Sequence, residues 1–334
     1  MSNPIFPFFD PDFKEKRERA KVRLRKDASY IGALSIALTL VMQYAYSFIV
    51  KLLIFFGVLS YESVGKTFLG LDNTTYLMLY SLVYIISLLW PALTVSFLYD
   101  KKFFPISPSR PVSFFFAVLL IVGSVGVCMF ANIVNSYISD FFREVGATVP
   151  ASPKLMVNTP FSFALNLFTI AVLPALLEEM IWRGYILRSL RAYGDGFAVV
   201  ISAMLFGLMH GNLRQIPFAF IVGLCLGFLY VCTNNIWIPI VVHFLNNGIS
   251  VMMEYTSFFL PQDAISMFYV YVIYGLLITG LLAVLLLLIC YRKEMQMKRT
   301  LSPLGTMGRY RVLFTTPLFA ASLFLYFVLV FLGM

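Results

Sequence analysis

Charged residues and histidines are scarce in this chain of 334 residues. Asp, Glu, Lys and Arg together make up 12% of it and hydrophobic residues 60%, whereas a soluble globular domain carries roughly 25% charged residues. This shortage of charge excludes an ordinary soluble domain and indicates a polytopic membrane protein. Only two histidines occur, His210 and His243, and both lie inside strongly apolar segments.

Several patterns that indicate other classes of protein are missing. The chain has no His-Glu-x-x-His pattern of zinc proteases and no internal repeat of the kind common in transporters. Its first residues are polar and charged, so we expect no cleaved signal peptide. The four cysteines lie in apolar segments without the close pairing of zinc sites, which favours a packing role: Cys128, Cys225, Cys232 and Cys290.

Apolar runs long enough to cross a bilayer fill most of the chain. A spanning helix needs about 20 mostly apolar residues. By that measure we predict an all-α, polytopic transmembrane helix bundle of eight to nine spans. The nine candidate segments are 30–58, 75–99, 112–137, 161–190, 197–211, 213–232, 236–255, 265–291 and 312–333.

Basic residues orient these spans. The net charge is +9, but Lys and Arg cluster beside apolar spans, which favours cytoplasmic loops and anionic lipid over nucleic acid as partners. Eight basic residues lie between Lys14 and Lys26, so we expect a cytoplasmic N terminus. Further cytoplasmic clusters fall at 101–110, 188–191 and 292–311. Residues 1–29 form a basic arm, either a solvated topology anchor or an amphipathic helix at the membrane interface.

Two adjacent acids lie inside the fourth span. Glu179 and Arg183 are four residues apart, so on a helix they share a face and can form an ion pair. Glu178 lies about 100° around the helix from Glu179, which leaves it free to face a cavity as a base. Pro174 removes a backbone hydrogen bond and should kink the helix, opening water access near the acids. The alternative interpretation is a purely structural acidic pair that closes an ion-pair network.

Each histidine has one partner a helical turn away. Phe206 precedes His210 by four residues, so its ring can wall a pocket around that imidazole. His243 and Asn247 share a helix face, and the Asn247 amide can orient an imidazole or donate to a developing oxyanion. Asn246 should point elsewhere. Taken singly, either histidine could equally be a hydrogen-bonded packing residue.

Together these residues resemble the CAAX-protease and bacteriocin-processing (CPBP, or Abi) family of intramembrane endopeptidases. The family pattern EExxxR, FxxxH and HxxxN on successive transmembrane helices is matched in order by Glu178-Glu179-x-x-x-Arg183, Phe206-x-x-x-His210 and His243-x-x-x-Asn247. The resemblance covers about residues 170–250 and includes a close-packing pair, Gly223 and Gly227. We therefore divide the chain into the arm (1–29), N-terminal spans (30–160), a CPBP-like catalytic core (161–255) and C-terminal spans (256–334).

The resemblance implies hydrolysis of a peptide bond in a membrane protein or peptide. Counted at 1.5 Å per residue from the cytoplasmic ends of their helices, the motif residues can meet in the cytoplasmic half of the bilayer. In a metal-dependent version, His210, His243 and Glu178 hold a divalent ion such as zinc that activates water. In a metal-free version, which we prefer, Glu178 takes the proton of the water with help from His210, and His243 and Asn247 stabilise the oxyanion.

Two other classes of function stay open at this stage. The first is a non-catalytic membrane scaffold or bacteriocin-immunity-type protein, although a scaffold has no need of the intact motifs. The second is a proton-coupled transporter in which Glu178 and the histidines relay protons.

Overall fold

The computed structural model describes residues 11–60, 67–101, 109–146, 159–297 and 302–332, and the regular structure in these ranges is helical. This confirms the predicted all-α bundle. Its helices are α1 (Pro11–Phe55), α2 (Asn73–Leu98), α3 (Phe114–Glu144), α4 (Pro160–Tyr193), α5 (Asp195–Met209), α6 (Ile216–Thr233), α7 (Trp237–Ser257), α8 (Gln262–Cys290), α9 (Thr306–Phe314) and α10 (Pro317–Leu332).

Fewer helices could span a membrane than the eight to nine we predicted. Within the described ranges, α1, α2, α3, α4, α6 and α8 are long and apolar enough, and α9 with α10 makes a seventh candidate that is bent by 73°. The protein is therefore a multi-pass membrane protein, with six or seven candidate spans by length and composition in the described ranges. Helix α5 has 15 residues, about 22 Å at 1.5 Å per residue, which is short of a hydrocarbon core of about 30 Å. Helix α7 carries several polar site residues, which lower its mean hydropathy.

The basic arm is continuous with the first span, because α1 runs from Pro11 to Phe55 without a break. Leu24 and Ala28 belong to the main hydrophobic core. Asp27 accepts hydrogen bonds from Lys101 Nζ at 3.1 Å and from the Tyr193 hydroxyl at 2.6 Å. The C-terminal part of the arm is thereby fastened to α4 and to the end of α2. Residues 102–108 and 298–301, parts of two predicted cytoplasmic connections, lie outside the described residues.

Small residues let the helices around the site approach closely. A Cβ on Gly223 would lie 3.1 Å from Ala203 of α5, and one on Gly227 would lie 3.2 Å from Leu187 of α4 and Val199 of α5. The close-packing role predicted for these two glycines is confirmed. Helix α6 is therefore held against α4 and α5 at the level where the motif residues meet.

Candidate active site

Helix α4 has two π-helical turns, Phe168–Val172 and Trp182–Leu187, on either side of the acidic pair. The first turn directly precedes Pro174. In a regular helix the carbonyl of Ile170 would accept from residue 174, but proline has no N–H. The Asn247 amide of α7 donates to this carbonyl at 2.9 Å instead. The irregular turn thus docks α4 onto α7 next to the candidate site, and π turns of this kind are frequent at functional sites.

The ion pair predicted from the Glu179–Arg183 spacing is present and fully buried. Arg183 Nη1 lies 2.7 Å from Glu179 Oε1, and both side chains are 0% exposed. Arg183 also donates from Nη2 to the Gly223 carbonyl at 3.2 Å. Its guanidinium lies 4.6 Å from the centre of the Phe206 ring, within the range of a cation–π contact. One charged group therefore joins α4, α5 and α6.

His243 lies between the two glutamates, with one ring nitrogen facing each. Its Nδ1 is 2.8 Å from Glu179 Oε1, so the hydrogen on Nδ1 is donated to that carboxylate. Its Nε2 faces Glu178 Oε2 at 3.8 Å, too far for a direct hydrogen bond. The Tyr84 hydroxyl of α2 donates to the other oxygen of Glu178, Oε1. Glu179 therefore orients the imidazole, and Glu178 keeps one oxygen directed at it.

His210 lies at the C-terminal end of α5, where a hydrogen bond from its ring Nδ1 fixes the orientation of the imidazole. Its Nδ1 lies 2.9 Å from the Phe206 carbonyl, and since a carbonyl can only accept, Nδ1 carries the hydrogen. In a neutral imidazole the lone pair is then on Nε2. The Phe206 ring meets both imidazoles edge to face, with centroids 5.1 Å from His210 and 6.1 Å from His243. Phe206 thus walls the site as predicted, and it also supports Arg183.

The two neighbouring asparagines of α7 form a short hydrogen-bonded chain. Asn247 donates to Ile170, and Asn246 Nδ2 donates to Asn247 Oδ1 at 3.0 Å. Our prediction that Asn246 points elsewhere is wrong, because both asparagines line the same cavity. Adjacent residues on a helix are about 100° apart around its axis, and both can line one cavity when the cavity extends over that angle. The oxyanion role of Asn247 stays a prediction, with one amide hydrogen committed to Ile170.

A cavity of about 340 Å³ joins these groups. Its walls come from α1, α2, α4, α5, α6 and α7, so most of the bundle contributes to it. The lining residues are Met42, Tyr80, Tyr84, Thr169, Ile170, Pro174, Glu178, Phe206, Met209, His210, Gln215, Phe218, Ala219, Val222, His243, Asn246 and Asn247. Glu178 faces this cavity while Glu179 faces Arg183, as their separation around the helix predicts.

The donor set does not match a three-ligand zinc site. Among the described residues, no three His, Cys, Asp or Glu side chains come together as a metal-binding group. The predicted ligands Glu178, His210 and His243 line one cavity but do not meet as such a group. Catalytic zinc usually has three protein ligands. We derive no step through a metal.

Two residues of this arrangement were missed by sequence reasoning. Tyr84 is 94 positions from Glu178 along the chain, and a tyrosine in an apolar span carries no signal that separates it from interfacial or packing aromatics. Asn246 was set aside on helical periodicity alone. Asn247 beside it already belonged to a motif, so the presence of a second amide side chain at the next position could have indicated that Asn246 also lines the site.

Comparison with known proteins supports the predicted resemblance. Residues 160–249 match the family model of type II CAAX prenyl endopeptidase Rce1-like proteins. The putative membrane peptidase YdiL of Bacillus subtilis (strain 168) is 32% identical over 91 residues, 27% of this chain and 37% of that protein. The membrane-embedded CAAX protease MroQ of Staphylococcus aureus (strain USA300) is 26% identical over 116 residues, 33% of this chain and 47% of that protein.

The predicted resemblance is therefore confirmed for one part of the chain. Residues 160–249, which contain all three motifs, are similar to type II CAAX prenyl endopeptidase Rce1-like proteins. The matched stretches span less than half the length of each of these two relatives. No match was found among solved structures.

Proposed function

We propose that this protein is an intramembrane endopeptidase that hydrolyses a peptide bond of a membrane-associated protein or peptide. The observation that carries the proposal is the convergence of Glu178, His210 and His243 on one cavity inside the Rce1-like segment. Charged and ionisable groups at membrane depth are costly and mostly serve function. A scaffold leaves the constellation of base, imidazoles and amides without a role, and the match to an endopeptidase family favours hydrolysis over proton-coupled transport.

Glu178 is the proposed general base. Tyr84 holds one carboxylate oxygen and leaves the other facing the cavity, where it can accept a proton from a water. The free lone pair of neutral His210 can accept the second hydrogen of that water and orient its attack. A positioned base of this kind typically contributes 10²–10⁴-fold to the rate.

His243 is the proposed electrophilic partner. Its imidazole lies between two carboxylates, with Nδ1 2.8 Å from Glu179 and Nε2 3.8 Å from Glu178. With a hydrogen on each ring nitrogen, Nδ1 donates to Glu179 and Nε2 can donate to the oxygen of a tetrahedral intermediate. The remaining amide hydrogens of Asn246 and Asn247 lie in the same cavity. Loss of one oxyanion donor typically lowers the rate by about 10²–10³-fold.

The proton taken by Glu178 completes the reaction. Water adds to the peptide carbonyl as its proton passes to Glu178, and collapse of the intermediate breaks the C–N bond. Glu178 returns the proton to the leaving amine, so that one water yields a carboxyl and an amino terminus. Glu179 supports this step by orienting His243, and Arg183 holds Glu179 in place. Neither residue transfers a proton in the reaction.

The expected placement follows from the charge pattern. Basic residues at the start of the chain put the N terminus in the cytoplasm, and the site then lies toward the cytoplasmic half of the bilayer. The printed names of the two relatives are those of a membrane peptidase and a membrane-embedded CAAX protease. They support a peptide substrate within reach of the membrane.

The test compares protein termini in membranes that contain the wild type or Glu178→Ala. New termini that depend on Glu178 are expected, and the same termini should be lost in His210→Ala and His243→Ala. Glu144→Ala is the matched control, because Glu144 is an exposed glutamate at the end of α3. The control should produce every terminus that the wild type produces.

All variants must reach the membrane in comparable amounts and elute as folded protein for this comparison to count. If folded Glu178→Ala still yields wild-type termini, Glu178 is not the base. If no terminus differs between the wild type and any of the three site variants, hydrolysis is the wrong function.

A further inference from the structure

Asn246 presents a buried acceptor that nothing in the described structure satisfies. Its side chain lines the catalytic cavity and is 5% exposed, and its Oδ1 has no hydrogen-bond partner. The direction of the amide is set by its neighbours: Ile170 takes a hydrogen from Asn247, whose oxygen then takes one from Asn246 Nδ2. Among the described residues the oxygen of Asn246 is therefore open to a donor that enters the cavity.

A second cavity, of about 460 Å³, meets the first at His210. It lies between α1, α10 and the end of α5, and Met42, Met209 and His210 line both cavities. Its other walls include Gln43 and Leu329. Helices α1 and α10 lie outside the segment that matches the family, so the family match accounts only for the part of this cavity that α5 lines.

The size and chemistry of the catalytic cavity favour an extended peptide over a helix. One turn of helix, about 10 Å wide and 5.4 Å long, fills about 420 Å³, more than the catalytic cavity holds. The backbone N–H groups of a helix are also bonded internally, whereas an extended chain has N–H groups free to donate. An extended segment supplies the donor that Asn246 lacks.

We propose that the two cavities form one groove for an extended segment of the substrate polypeptide, which donates a backbone N–H to Asn246 Oδ1. This inference rests on the proposed hydrolysis and assigns substrate positioning to Asn246. It also gives α1 and α10 the part of the groove that selects the segment next to the scissile bond. A lipid chain is the competing occupant of the cavity between α1 and α10.

The first experiment uses a peptide that contains a cleavage site found from the termini described above. Each backbone nitrogen within three residues of the scissile bond is methylated in turn, which removes one N–H at a time. We expect one position to lower kcat/KM at least about tenfold in the wild type, the effect of leaving a buried acceptor unpaired. Asn246→Ala should lose sensitivity to methylation at that same position.

Two further variants keep this result interpretable. Asn246→Asp retains an acceptor oxygen and should retain the sensitivity, which covers the case in which Asn246→Ala fails to fold. Asn166→Ala is the matched control, because Asn166 also has a buried, unpartnered Oδ1 but does not line the catalytic cavity. It should show the same sensitivity to methylation as the wild type.

The second experiment places a bulkier side chain on the part of the groove that α10 lines. Leu329→Trp should raise KM at least about tenfold while kcat changes little. Phe327→Trp, on the exposed face of the same helix, should leave KM unchanged. Unchanged KM in Leu329→Trp would mean that lipid fills this cavity and would overturn the proposal. Cleavage without any position that couples to Asn246 would also overturn it, whereas absence of all cleavage would refute the proposed function itself.

Discussion

Removal of Arg183 should be among the most destabilising single changes in this protein. Its guanidinium is fully buried and contacts Glu179, the Gly223 carbonyl and the Phe206 ring. In Arg183→Ala the Glu179 carboxylate, itself 0% exposed, keeps only His243 as a partner. Breaking a buried ion pair by removing one member costs about 3–5 kcal/mol, because it leaves an uncompensated charge in a medium of low dielectric constant.

The assay is the free energy of unfolding of purified variants, measured in one detergent by one method. Arg143→Ala is the matched control: Arg143 pairs with Asp140 at 2.7 Å, but the side chains are 70% and 55% exposed. Its loss should cost less than about 1 kcal/mol. The double variant Arg183→Met with Glu179→Gln removes both charges and should be more stable than Arg183→Ala. If Arg183→Ala costs no more than Arg143→Ala, the buried pair does not stabilise the bundle as we argue.

Three further predictions concern activity on an identified substrate. Tyr84→Phe should lower kcat about tenfold or more with KM unchanged, because a hydrogen bond to a charged group contributes about 1.5–3 kcal/mol. Tyr80→Phe is the control, since Tyr80 also lines the cavity. Equal effects of the two changes would mean that the hydrogen bond from Tyr84 to Glu178 does not support catalysis. Glu179→Gln should retain more turnover than Glu178→Gln, since glutamine can still accept from the imidazole, and the reverse order would make Glu179 the base. Chelators should leave turnover unchanged. The metal-dependent mechanism would be established instead if chelation abolished turnover and the protein bound about one zinc per chain, which was lost when either histidine was changed to alanine.

Local spacing predicted the contacts that lie within one helix or between motif residues. The i,i+4 rule placed Arg183 against Glu179, and the offset of about 100° per residue directed Glu178 toward the cavity. Both contacts are present. Such rules succeed here because the two acids share one helix, whose geometry depends little on the rest of the fold.

Contacts between distant helices could not be predicted in the same way. Tyr84 reaches Glu178 only because α2 packs beside α4, and nothing in the sequence near position 84 records that neighbour. Pro174 correctly indicated a break in the regular hydrogen bonding of α4, but the donor that repairs it comes from Asn247, 77 positions away from Ile170. The donor to a carbonyl freed by proline therefore depends on which helix packs beside it, which local sequence does not specify.

Helices α5 and α7 account for the difference between the eight to nine predicted spans and the six or seven candidates among the described residues. The prediction treated each apolar run as an independent solute in the bilayer, for which about 20 residues are needed. Helix α5 is shorter and α7 is more polar than that standard, and most of their residues are buried or half-buried against other helices. A helix enclosed by protein need not match the thickness of the bilayer, nor be apolar on every face.

The position of the irregular turns shows why the site can be both rigid and hydrated. A regular helix satisfies its own backbone groups and leaves little for water or a peptide to bond. Helix α4 departs from regularity twice, around Ile170 and around Arg183, and a side chain from another helix bonds a backbone carbonyl at each place. Asn247 of α7 donates to the Ile170 carbonyl, and Ser202 of α5 donates to the Trp182 carbonyl. Beside Pro174 the carbonyl of α4 is thus bonded within the protein, whereas the acceptor of Asn246 faces the cavity, where a substrate can bond to it.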